Sequence, residues 1–142
     1  MRGQASSEFI VIIAALTMIM MPVLIIMNVN AQYSQESMAL ARAAFSAARL
    51  ASAADSVGSM GLGARLYTTI DVPTLDSIAV SGHDIAFRMN TSYGPVVVVQ
   101  ASRFQLGSSP DFDRIKTAGT YTVEVQGPER VGQNEKVTLI LR

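Results

Sequence analysis

Few residues in this chain have the type and spacing that chemistry requires. There are no cysteines and a single histidine, His83. Thiolate nucleophiles, disulfides and cysteine-based zinc sites are therefore excluded, and a lone imidazole does not make a histidine-rich metal or acid–base centre. Serines are plentiful, but none stands in a Gly-x-Ser-x-Gly elbow. The run Gly58-Ser59-Met60-Gly61-Leu62-Gly63 has the glycines of a phosphate loop without the Lys-Ser/Thr that must follow, and its order does not fit a dinucleotide fingerprint. It reads as a helix end and a flexible link. Asp111 and Asp113 offer two carboxylates where calcium needs a larger oxygen cage, so they read as a solvated loop. His83 falls in a Gly82-His83 turn. The expectation is no metal, no cofactor, no catalytic residue and no enzymatic activity.

Two polar features remain. Glu8 is a carboxylate at the lip of an apolar run. An ionisable group within a membrane span costs roughly 2.5–3.5 kcal/mol at the centre and less near the end, and by default marks function. A carboxylate near a helix N-terminus is also favoured by the macrodipole, so a simple interfacial role stays open. Asn90-Thr91-Ser92 is an acceptor sequon at a strand end, and on an outward-facing domain Asn90 is a candidate glycosylation site.

The elements that position these residues follow from patterning. At 142 residues the chain has room for one compact domain and one long element. Basic and acidic residues balance at 11 each, which gives no electrostatic footprint for nucleic acid and no acidic tail. Only 15% of residues are charged against 49% apolar, and the apolar surplus is concentrated at the N-terminus. From Phe9 to Met27 no charge occurs, and the run spans about 28 Å at helical rise, close to the roughly 30 Å of a bilayer core. A soluble core helix of that character needs apolar layers on every side, which so short a chain does not supply. A secretory signal peptide would end in a cleavage site, whereas this run passes unbroken into Asn28–Gln35 and a further helical segment. The one basic residue ahead of the run, Arg2, keeps the N-terminus cytoplasmic and places the rest outside. Pro22 sits in mid-span, where it removes a backbone hydrogen bond and kinks the helix.

The stretch Arg2-Gly3-Gln4-Ala5-Ser6-Ser7-Glu8-Phe9 resembles the class III signal peptide of archaeal type IV pilin-like proteins, whose pattern is basic–Gly–Gln–x–Ser–x–Glu–Phe ahead of an apolar helix. The resemblance implies that residues 1–3 are a leader, cut between Gly3 and Gln4 by a prepilin-type membrane aspartic peptidase. It implies partners as well: membrane lipid before assembly, an assembly ATPase and membrane platform, and other copies of the chain in a helical homopolymer. Glu8 would then pair with a neighbour's new terminal amine and set axial register. At ~4 Å such a pair gains up to ~4 kcal/mol at an effective dielectric of 20, before desolvation. Archaellins, the motility-filament relatives, lack this Ser-x-Glu start, so the resemblance points to a pilus and, through it, to adhesion.

Residues 31–57 continue the helix. Leu40, Ala43, Ala47, Leu50, Ala54 and Val57 form one apolar seam, with Arg42, Ser46 and Arg49 together on another face. Period-two alternation then predicts strands at Arg65–Val72, Asp76–Val80, Asp84–Asn90, Val96–Phe104, Thr120–Gln126 and 135–141, with turns at Gly82-His83 and Tyr93-Gly94-Pro95 and a loop over 107–118. The expected fold is α+β: a long helix over 4–57 with its apolar half at 9–27, a glycine-rich hinge at 58–64, and a small antiparallel β-sandwich-like domain at 65–142. The expected function is a structural pilus subunit, located in the cell membrane and then in a surface filament. The alternative is a membrane-anchored envelope protein or minor pseudopilin that does not polymerise and binds through its β-domain.

Overall fold

The structure, a computed structural model, describes residues 2–128 and 136–142, with side chains from Ser7 onward. Met1 and Glu135, at the edges of two sequence assignments, lie outside the described residues. The fold is α+β: one long N-terminal helix followed by a small β-domain of mixed strand direction. The chain divides into two compact units, residues up to Ser37 and Met38–Arg142. The first unit consists of the N-terminal part of helix α1 (Arg2–Met60).

The second unit holds the rest of α1 and seven strands: β1 (Arg65–Val72), β2 (Ser77–Ser81), β3 (Asp84–Thr91), β4 (Gly94–Ala101), β5 (Gln105–Ser108), β6 (Gly119–Gln126) and β7 (Lys136–Leu141). They form a four-stranded sheet in the order β1-β6-β7-β5 and a three-stranded sheet in the order β2-β3-β4. The seam expected on α1 is the face that meets them. Ala43, Ala47, Leu50, Ala54 and Val57 are fully buried, in one cluster with Ile70, Ile85, Phe87, Val123, Val125, Val137 and Leu139. Each large aliphatic or aromatic side chain buried there contributes about 1.5–3 kcal/mol. The alanines contribute little area themselves, but they let the helix approach the sheets closely. Ser46 does not share the exposed face of Arg42 and Arg49. It is buried, and its hydroxyl donates to the Asp71 carbonyl at 2.6 Å, which satisfies a backbone acceptor at the end of β1.

Several boundaries differ from the sequence reading, each for a local reason. The helix does not stop at Val57: Gly58 and Ser59 are helical, and the break comes at Gly61, whose φ of 92° is the left-handed conformation that ends helices. The link is thus shorter than residues 58–64. Tyr93-Gly94-Pro95 is not the β3–β4 turn. Ser92 and Tyr93 form it, because the Thr91 hydroxyl donates to the Gly94 carbonyl at 2.8 Å and accepts from the Tyr93 amide at 3.3 Å, closing a two-residue hairpin. Gly94 and Pro95 open β4, which ends at Ala101 rather than Phe104. The Gly82-His83 turn joins β2 to β3 as expected, with Gly82 at φ 61°.

The segment 107–118 is not simply a loop. Gln105–Ser108 is a strand, and it pairs parallel to β7, so the sheet is not wholly antiparallel. A short 3-10 helix, Phe112–Arg114, then buries Phe112 in the core beside Ile115.

Candidate functional site

The most distinctive site is the N-terminal part of α1, taken as a unit of its own. Every side chain from Ser7 to Gln35 is exposed, and no charged residue occurs between Glu8 and Glu36. Fifteen of the residues in 9–27 are large hydrophobics, among them Phe9, Ile10, Leu16, Ile19, Leu24 and Ile26. At about 1.5–3 kcal/mol each, leaving them in water forgoes tens of kcal/mol. A helix apolar on all sides requires lipid or other apolar helices around it. This helix is long and apolar enough to cross a membrane, and none of its apolar window is buried among the described residues.

The residues singled out in sequence fall on it as follows. Gly3 and Gln4 are helical. Glu8 is exposed one turn before Val11 and Ile12, with its side chain immediately ahead of the charge-free run. The helix runs unbroken through Pro22, which has no amide hydrogen to give the Met18 carbonyl. Nearby, the Thr17 hydroxyl folds back onto the Ile13 carbonyl at 2.8 Å, so that polar side chain is satisfied within its own helix.

In the second unit, Asn90 is exposed on β3, opposite Pro95 and one residue before the strand ends. His83 is exposed in its turn, where its carbonyl accepts from the Ser102 amide at 2.7 Å. Asp111 faces Arg114 at 3.5 Å, and Asp113 accepts from the Ser108 hydroxyl at 2.7 Å, so the two carboxylates are turned to different partners. Among the described residues no three of His, Cys, Asp and Glu converge. The concavities are open. One of about 460 Å³ lies between α1 and β1, against Phe45, Ser52 and Leu66. Another, of about 480 Å³, is lined by Arg114, Lys116, Tyr121 and Arg142.

Sequence reasoning missed two polar centres. Glu124 is 1% exposed on β6, between Arg65 of β1 at 3.4 Å and Arg142 after β7 at 2.8 Å. The hydrogen bond to Glu124, and then its charge, raise the Arg142 guanidinium above its ordinary range. Glu124 alternates with the buried Val123 and Val125 along β6, and nothing in the local sequence signals that two arginines cover it. The second centre is Asp55 on α1. Its Oδ1 accepts from the buried Ser102 hydroxyl at 2.7 Å and from the Arg103 amide at 2.8 Å, tying the helix to the chain after β4.

Compared with known proteins, the chain matches no family model, no curated protein and no solved structure. Fold and site together define an α+β chain with one N-terminal helix that is compatible with membrane anchoring.

Proposed function

We propose that this chain is a structural subunit of an archaeal type IV pilus-like surface filament. On this reading it is held in the membrane by residues 9–27, cut between Gly3 and Gln4, and then packed helix against helix into a polymer that serves adhesion. The observation that supports it most is the pairing of an exposed, charge-free helix surface with a single carboxylate, Glu8, at its start. A bare membrane anchor needs the apolar surface but does not require Glu8, which it would only tolerate at the helix start. A filament needs both: the apolar surface to bundle the helices and the carboxylate to meet a neighbour's terminal amine. The β-domain then lies outside with Asn90 as its glycosylation site, and the role is structural rather than catalytic.

Glu8→Ala tests the reading. The expected result is normal membrane insertion with loss of filaments from the sheared surface fraction in negative-stain microscopy. Filaments of ordinary number and length from the Glu8→Ala chain would remove the role given to this residue.

A further inference from the structure

The four-stranded sheet turns Ile70, Val123 and Leu139 into the core, and strand register fixes which residues share its other face. Tyr67 of β1 stands directly opposite Glu124 of β6, and Glu124 opposite Ile140 of β7. The next row on one side is Arg65, Gln126 and Thr138. On the other side Thr69 stands opposite Thr122, and Arg142 extends that row by donating its amide to the Thr122 carbonyl at 3.0 Å. Glu124 is therefore the centre of a small grid, with its two arginines at opposite corners.

Both arginines reach back over this centre. Arg65 meets one carboxylate oxygen through Nη1 at 3.4 Å, and Arg142 meets the other through Nε at 2.8 Å. Their side chains stay 54% and 60% exposed above the sealed Glu124. A guanidinium has five N–H donors, so each keeps nitrogens beyond the one given to the carboxylate. Tyr67 is 59% exposed beside them. After Glu124, its phenol also helps to hold Arg142 in the charged form. A carboxylate buried on an outward face costs free energy, and what it adds here is orientation. It holds two flexible cations over the sheet, next to one aromatic ring.

The charge this face offers to solvent is positive. Among its other described residues, Lys136 is exposed, and Asp71 lies 3.9 Å from Arg42 of α1. We propose that the face binds an acidic saccharide chain, the two guanidinium groups taking uronate carboxylates and Tyr67 taking the apolar side of a sugar ring. Guanidinium and carboxylate match as planar, two-point partners. The exposed hydroxyls of Thr69 and Thr122 both donate and accept, as sugar hydroxyls require. A neutral glycan would leave the arginines without a counter-charge, and a nucleic acid calls for a basic excess that this chain of balanced charge does not have. The inference gives a ligand class to the adhesive role proposed above. It uses the second unit alone, so failed binding and failed filament assembly are separate results.

The full chain in neutral detergent, at about 0.15 M salt to screen diffuse attraction, is titrated calorimetrically with trigalacturonate and with maltotriose. Trigalacturonate should bind at least tenfold more tightly. Tyr67→Ala, at an exposed position, should weaken that binding at least tenfold while thermal unfolding is unchanged. Glu124→Gln separates an oriented site from a merely positive surface. It raises the net positive charge, so a diffuse cationic patch would bind trigalacturonate more tightly. The oriented site loses at least fivefold instead, because its arginines are no longer held. Equal binding of the two trisaccharides, unaltered binding by Tyr67→Ala, or tighter binding by Glu124→Gln overturns the proposal.

Discussion

The ring of Phe104 lies against Gly58 so closely that a Cβ on this glycine would stand 2.7 Å from the ring's Cε2. Gly58 is helical, one turn after Ala54, and its use is close approach rather than a hinge. Gly58→Ala should therefore destabilise the protein by about 1–3 kcal/mol through overpacking. The sign is informative, because in an unobstructed helix the same change stabilises by up to ~1 kcal/mol. Thermal or denaturant unfolding of the full chain in detergent measures it. Phe104→Ala should abolish the penalty of Gly58→Ala in a double-mutant cycle.

Glu124 and its two arginines form a buried carboxylate clamped by half-exposed cations. Each arginine can return to water if Glu124 is replaced, but Glu124 cannot if both arginines are lost. Arg65→Ala together with Arg142→Ala should thus cost about 3–5 kcal/mol, the range for stranding a buried charge. Glu124→Gln should cost less. Denaturant midpoints of the three chains supply the comparison, and the reverse order would show that the carboxylate is not sealed from solvent.

Asn90 is exposed at the end of β3, with its sequon running into the Ser92-Tyr93 turn. Intact-mass measurement of the chain from its native cells should show an added glycan, and Asn90→Gln should remove the whole increment. An unmodified Asn90 in the native chain would withdraw the site.

How much of this was legible in the sequence depended on whether local pattern or distant contact decided each element. The α1 seam and β1 were readable residue by residue, because Ala43, Ala47, Leu50, Ala54 and Val57, and then Thr68, Ile70 and Val72, follow helical and strand periods that burial obeys. Strand β5 was not. Gln105-Leu106-Gly107-Ser108 has one apolar side chain, and it becomes a strand only because β7 lies alongside it. Phe112 was hidden for a related reason, since a single aromatic in a polar segment has no period to announce that it plugs the core. The β3–β4 turn misled because Gly94-Pro95 is ordinary turn vocabulary, while the closing hydrogen bonds come from the Thr91 hydroxyl.

The N-terminal site was legible in a different sense. The absence of charge from Phe9 to Gln35 is visible in the sequence, and the structure adds that these side chains are exposed among the described residues. The roles proposed for Gly3, Gln4 and Glu8 rest on their resemblance to a pilin leader, because each would act on something outside the chain: a peptidase, or a neighbour's amine. By contrast, Glu124 and Asp55 have partners inside the chain that are far away in sequence, and only the fold brings them together.

The most direct test of the central claim is N-terminal sequencing of the chain recovered from the sheared cell-surface fraction. The account predicts that this fraction contains the chain and that it begins at Gln4. A chain that begins at Met1, or that is confined to the membrane fraction and missing from the sheared material, would contradict it.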